Sequence, residues 1–187
     1  MRLIDEPMQG LKVIGLQVHG DARGFFVERY HRQKLADIGI DAEFVQDNHS
    51  RSAPNILRGL HYQHTPPQGK LVGVTRGRVL DVAVDIRPHS PTYGKHHAVE
   101  LSGENGVLFW IPAGFAHGFA VLGDEPADML YKVSGLYDPQ GEGGIRYDDP
   151  DLAIDWGIRD PLISARDQGL ISFADYRANP APWKGSN

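Results

Sequence analysis

The stretch Val79-Leu-Asp-Val-Ala-Val-Asp-Ile-Arg87 decides the fold class. In an extended chain Leu80, Val82, Val84 and Ile86 fall on one side, and Asp81, Ala83, Asp85 and Arg87 on the other. Successive side chains of a strand point to opposite faces, so this period of two reads as a half-buried β-strand. Upstream, Arg76-Gly77 is a turn signal, and residues 70–75 read with this strand as the two arms of a hairpin. Downstream, Ser102-Gly-Glu-Asn-Gly106 separates residues 98–101 from 107–111, and Pro112-Ala-Gly114 precedes further strands at 117–122 and 129–133. Farther out, residues 1–30 alternate apolar and polar and break at Gly20-Asp21 and Gly24. Residues 32–38, stopped by Gly39, form the one helical stretch expected before the middle, and Ser172-Phe-Ala-Asp175 has capping-box form. The last residues, from about 177 to 187, read as a loose tail. Strands at this spacing predict an all-β chain, an antiparallel sandwich or barrel, in a single domain over 1–187.

Composition agrees. With 22 Gly and 13 Pro in 187 residues, turn chemistry recurs too often for long helices. The absence of cysteine excludes disulfides, thiolate catalysis and Cys-based metal sites, and is compatible with a reducing cytoplasm. The polar start, Met-Arg-Leu-Ile-Asp-Glu-Pro7, lacks a signal-peptide core, and no apolar run reaches membrane-spanning length. A net charge of −5 argues against general nucleic-acid binding, while leaving room for a local Arg/Lys cluster around one small anion. We therefore expect a soluble cytoplasmic protein without nucleic-acid or membrane partners.

Three segments could carry chemistry. Leu57-Arg-Gly-Leu-His-Tyr-Gln63 with Gln68-Gly-Lys70 places Arg58, His61 and Lys70 in a stretch otherwise suited to a β core. Gly59 permits a bulge there, so Arg58 and His61 need not follow strict alternation. On these residues alone, His61 reads equally well as a core histidine or as a base. Trp110-Ile-Pro-Ala-Gly-Phe-Ala-His117 is a tight backbone near a pocket or a hairpin corner with an incidental His. Tyr131 shares a strand face with Met129 and Val133, where a structural hydrogen bond is the default for a tyrosine. Nine histidines raise the question of a metal, but there is no His-x-His, and His96 and His97 point to opposite faces. No metal site is expected.

Taken in order, these segments resemble the dTDP-4-dehydrorhamnose 3,5-epimerase family. The resemblance rests on Asp21-Ala-Arg-Gly-Phe-Phe26, Gln46-Asp-Asn48 with Ser50, Leu57–Gln63, Gln68-Gly-Lys-Leu-Val72 and Asp81–Arg87. It continues through Ser90-Pro-Thr-Tyr-Gly94, Trp110–Phe119, Tyr131-Lys132, Asp148-Asp-Pro150 and Ile154-Asp-Trp156, covering about residues 3–175. It implies a cupin-like jelly roll, a homodimer, no metal or other cofactor, and a dTDP-sugar substrate. By the same resemblance His61 is the base, Tyr131 the acid on the opposite face of the sugar, Asp167 the partner of His61, and Lys70 the cation near the ketone oxygen. Arg23, Glu28, Gln46, Asp47, Asn48, Arg58, His117, Glu142 and Arg166 match nucleotide-sugar contacts, and Tyr137 lines the same pocket. The implied reaction inverts C3 and C5 of dTDP-4-dehydro-6-deoxy-D-glucose, and its end product is lipopolysaccharide, another glycan or an antibiotic sugar. Three rivals are a mono-epimerase on a related sugar, a metal-dependent cupin enzyme and a sugar-nucleotide-binding module without turnover. Gly73 departs from the family pattern, where Arg is frequent.

Overall fold

The structure is a computed structural model and describes residues 1–183. Its strands are β1 (Arg2–Met8), β2 (Leu11–Gly15), β3 (Val18–Asp21), β4 (Gly24–Val27), β5 (Gln46–Ser52), β6 (Leu57–Gln63) and β7 (Lys70–Arg76). They continue as β8 (Arg78–Asp85), β9 (His96–Ser102), β10 (Val107–Ile111), β11 (Phe115–Leu122), β12 (Ala127–Val133) and β13 (Glu142–Gly144). The helices are short: α1 (Arg32–Asp37), α2 (Ala165–Gln168) and α3 (Phe173–Ala178). Six strands form one sheet in the order β1-β2-β10-β7-β12-β5, and five form another in the order β13-β6-β11-β8-β9. The pair β3–β4 stands apart as a two-stranded ribbon. All the pairings between strands are antiparallel, as expected of a jelly roll.

The two large sheets face each other across one apolar core. Leu11, Val13, Val72, Val74, Phe109 and Met129 come from the first sheet, and Val79, Ala83, Leu101, Phe115 and Val121 from the second. Each fully buried side chain of this kind contributes about 1.5–3 kcal/mol relative to exposure.

Two expectations are corrected. The strand expected at 79–87 is β8, which ends at Asp85 and is buried on both faces. Val82, Val84 and Ile86 are covered by Leu152, Trp156, Phe173 and Tyr176 of the C-terminal segment, so the side bearing Asp81 and Ala83 looks into the inter-sheet core. The turn at Arg76-Gly77 exists, with Gly77 at φ +73°, but it does not close a hairpin. β7 pairs with β10 and β12, β8 with β9 and β11, so the turn carries the chain from one sheet to the other.

The helix expected at 32–38 is α1, and the capping box at Ser172–Asp175 starts α3. Within the expected tail, α3 runs on to Ala178 and residue 183 is tied to the body of the domain. Tyr176 is fully buried and donates its hydroxyl to the Ile86 carbonyl at 3.0 Å, while Trp183 donates its indole N–H to the Tyr176 oxygen at 3.1 Å. An aromatic on a polar chain end buries enough apolar surface to hold that end down. Residues 184–187 lie outside the described part. Among the described residues, no helix is long and apolar enough to cross a membrane.

Candidate active site

β6 breaks alternation where Gly59 sits. Leu57, Leu60 and Tyr62 pack on the outer face of the five-stranded sheet, whereas Arg58 and His61 both line the interior. Against β11, His117 faces His61 and Phe119 faces Arg58, so two residues of β6, Gly59 and Leu60, lie opposite one of β11, Gly118. This is the bulge that Gly59 permits. Gly59 has φ +120°, and a Cβ there would lie 2.5 Å from the Gly118 Cα and 2.8 Å from the His117 carbonyl oxygen. We expect Gly59→Ala to destabilise the fold by about 3 kcal/mol, read from its urea midpoint. A loss under about 1 kcal/mol would mean that this backbone contact is easily relaxed.

The bulge brings His61 onto the wall of a cavity of about 360 Å³ between the two sheets. From the five-stranded sheet the lining includes Arg58, His61, His117, Gly118, Phe119 and Glu142; from the six-stranded sheet, Gln46, Asn48, Ser50, Lys70, Met129 and Tyr131. Gln68 and Tyr137 lie on the connecting loops. His61 and Tyr131 thus face one space from opposite sheets.

Asp167 stands behind His61. Its Oδ1 lies 2.7 Å from His61 Nε2, and its Oδ2 accepts the Gly59 amide at 3.2 Å. The Ser164 hydroxyl caps α2 by accepting the Asp167 amide, which fixes the carboxylate against β6. Burial pushes the Asp167 carboxyl up, but the hydrogen bonds from His61 and Gly59 outweigh it and hold it below the usual carboxylate range. With Nε2 bound to Asp167, Nδ1 of His61 is the nitrogen left free to take a proton.

Lys70 lies at the start of β7, where Gln63 and Gln68 tie down the preceding loop. Gln63 donates to the carbonyls of Pro66 and Leu136 at 2.9 Å each, and Gln68 donates to that of Gly135 at 2.8 Å. These bonds hold the Pro66-Pro67 connection, and Lys70 after it lines the cavity. Burial lowers its pKa to about 8, opposed by the nearby carboxylates of Glu142 and Asp81. Burial raises the Tyr131 phenol, so it holds its proton at neutral pH.

Other expected contacts lie at the rim or beyond it. Arg166 pairs with Glu142 at 2.5 Å, and Tyr137 donates to the same carboxylate at 3.1 Å. Asp47 pairs with Lys132 at 2.8 Å, and its side chain does not line this cavity. Arg23 sits at the tip of the β3–β4 ribbon, paired with Asp21, and Glu28 follows that ribbon, paired with Lys34 at 2.8 Å. Neither reaches the cavity of its own chain. Asp81, not singled out as a site residue on sequence, is fully buried, with its two oxygens 2.9 and 3.0 Å from His117 Nε2. The signal that could have found it was a carboxylate in mid-strand between Leu80 and Val82. Among the described residues no group of three or more His, Cys, Asp or Glu is arranged to hold a metal ion.

Comparison with known proteins places this geometry. The family model for dTDP-4-dehydrorhamnose 3,5-epimerase matches residues 5–175. A dTDP-4-dehydrorhamnose 3,5-epimerase of Pseudomonas aeruginosa is 52% identical over 161 residues, covering 85% of this chain and 88% of the relative. One of Shigella flexneri is 46% identical, covering 94% and 97%. A crystal structure of the dTDP-6-deoxy-D-glucose-3,5-epimerase of Legionella pneumophila, in complex with dTDP-4-keto-L-rhamnose, superposes with a TM-score of 0.93 at 45% identity, covering 99% of both chains. The chain belongs to the dTDP-4-dehydrorhamnose 3,5-epimerase family.

Proposed function

We propose that the chain inverts C3 and C5 of dTDP-4-dehydro-6-deoxy-D-glucose to give dTDP-4-dehydro-L-rhamnose. The observation that carries this reading is the placement of the His61–Asp167 pair and Tyr131 on facing sheets around one cavity. A C–H bond beside a ketone becomes acidic because its conjugate base spreads charge onto oxygen as an enolate. His61 takes the proton on Nδ1, and Asp167 stabilises the imidazolium that forms. Lys70 faces the developing oxyanion as an ammonium. Tyr131 returns a proton to the same carbon from the other side, which inverts it. One group could not serve both faces without the ring turning over. Arg58 and Arg166 suit the diphosphate, since guanidinium binds phosphate oxygens in a bidentate fork.

The test is NMR of dTDP-4-keto-6-deoxyglucose in heavy water with the purified protein. Deuterium at both C3 and C5 is expected. Incorporation at one carbon alone would reduce the activity to mono-epimerisation, and tight binding without incorporation would mark a binding module.

The reading extends to assembly. Phe25 and Phe26 at the ribbon tip are 70% and 69% exposed, a solvent-facing apolar pair beside Arg23. In the homodimer we propose, the ribbon packs on the partner and carries Arg23 and Glu28 toward a cavity other than their own. Sedimentation should give the mass of two chains; a monomer at working concentration argues against this arrangement. We place the enzyme in the cytoplasm as one domain over 1–187, consistent with its cysteine-free sequence, and cell fractionation tests that location.

A further inference from the structure

The inner face of β8 looks into the space between the sheets, where an apolar side chain would be the inexpensive choice. Ala83 makes that choice two residues from Asp81. Asp81 does not, and it is fully buried. A carboxylate in such a place is costly unless paired, and replacing a buried pair by apolar residues is commonly neutral or stabilising. Packing therefore gives no reason for Asp81, whereas its two neighbours do. One is His117, on the adjacent strand, whose Nε2 meets both Asp81 oxygens at 2.9 and 3.0 Å. The other is Lys70, which lines the cavity together with His117; the Lys70 ammonium has no hydrogen-bond partner among the described residues, and Asp81 favours its charge.

We propose that Asp81 is a positioning residue for the oxyanion side of the reaction: it holds His117 with the proton on Nε2, and it keeps Lys70 an ammonium beside the ketone. This deepens the epimerase reading and rests on it. A neutral imidazole has one donor and one acceptor nitrogen. With Nε2–H donated to Asp81, Nδ1 of His117 is the acceptor left for a sugar hydroxyl. The other tautomer would present an N–H instead and leave the carboxylate without its donor.

The charged and titratable groups that line the cavity with Lys70 are Glu142 on β13, His117 on β11, Arg58 and His61 on β6, and Tyr131 on β12, and Asp81 on β8 stands behind His117. Only two of these are acids. Glu142 is already shared with Arg166 at 2.5 Å and Tyr137 at 3.1 Å. Among the described residues Asp81 makes no ion pair with an arginine or lysine, so its charge is left to His117 and Lys70. Burial pushes the Asp81 carboxyl above the usual carboxylate range, and His117 and Lys70 offset this only in part. The sign follows: Lys70 loses its proton as pH rises through about 8, and activity falls with it. Removing the negative charge at 81 lowers that pKa further, so the basic limb moves to lower pH.

The experiment compares the full chain with Asp81→Asn, following deuterium entry from heavy water into dTDP-4-keto-6-deoxyglucose as a function of pH. The basic limb should shift down by roughly one unit, with a fall in kcat larger than any rise in KM. Nitrogen-15 spectra of the unmodified protein should give His117 as the Nε2–H tautomer, and this population should shrink in the variant. An unmoved basic limb overturns the proposal even if activity drops at every pH, because that pattern is a structural defect. If the variant does not fold, the tautomer of His117 in the unmodified protein decides alone, and Nδ1–H overturns the proposal. Should the unmodified protein exchange neither carbon, the epimerase reading fails, and the nitrogen-15 result still reports on the Asp81–His117 pair.

Discussion

His61→Ala is expected to lower epimerisation by about 10³-fold and to abolish deuterium entry at C3 and C5 together. Two histidines line the cavity side by side in register, each with a carboxylate on its Nε2: Asp167 at 2.7 Å for His61 and Asp81 at 2.9 Å for His117. They differ in surroundings. The His61 side chain is 24% exposed and that of His117 only 9%, so His61 has more room to receive and release a proton. If His117 were the base at either carbon, exchange there would survive the substitution. The variant leaves the buried Asp167 without its main partner, which costs about 1–3 kcal/mol. His61→Asn keeps a hydrogen-bonding group and serves as the control for folding. Exchange that persists at one carbon would assign that carbon to another group, and undiminished exchange would remove His61 from the mechanism.

Tyr131→Phe separates exchange from inversion. The substitution deletes one oxygen and leaves the ring against Met129 and the rest of the inter-sheet core, so stability should change little. His61 still removes and returns protons on its own face. The recovered substrate should therefore gain deuterium with its configuration retained, while inverted product forms about 10²-fold or more slowly. Burial favours the neutral phenol, which is the form that donates. Product configuration and deuterium content, measured on the same sample, give the two rates. An unchanged rate of inversion would sink the assignment of Tyr131 as the acid.

Much of this was legible in the sequence because it is local. The period of two over residues 79–87, the turn at Arg76-Gly77 and the capping box at Ser172 each depend on neighbours a few positions away, and each is present. What each element packs against is not local. Nothing near Val82 reports that Trp156 and Tyr176 will cover it, so a strand buried on both faces read as half-buried. A turn with the right glycine also does not say whether the next strand pairs or crosses to the other sheet, and at Gly77 it crosses. The candidate site followed the same rule. Family likeness grouped His61, Lys70, His117 and Tyr131, which do share a cavity, but it could not separate Arg23 and Glu28, which their own chain holds elsewhere. Asp81 was visible only as part of a polar strand face shared with Asp85 and Arg87. Its importance lies in a partner 36 positions later.

The alternation of successive strands between the two sheets also has a consequence for biosynthesis. β2 waits for β10, β6 waits for β11 and β13, and His61 waits 106 residues for Asp167. Neither sheet can be completed from the amino-terminal half alone, and contacts this distant in sequence form slowly. A nascent chain on the ribosome therefore closes only the β1–β2 and β3–β4 pairs early, and the strands that wall the cavity assemble after much of the second half has been translated.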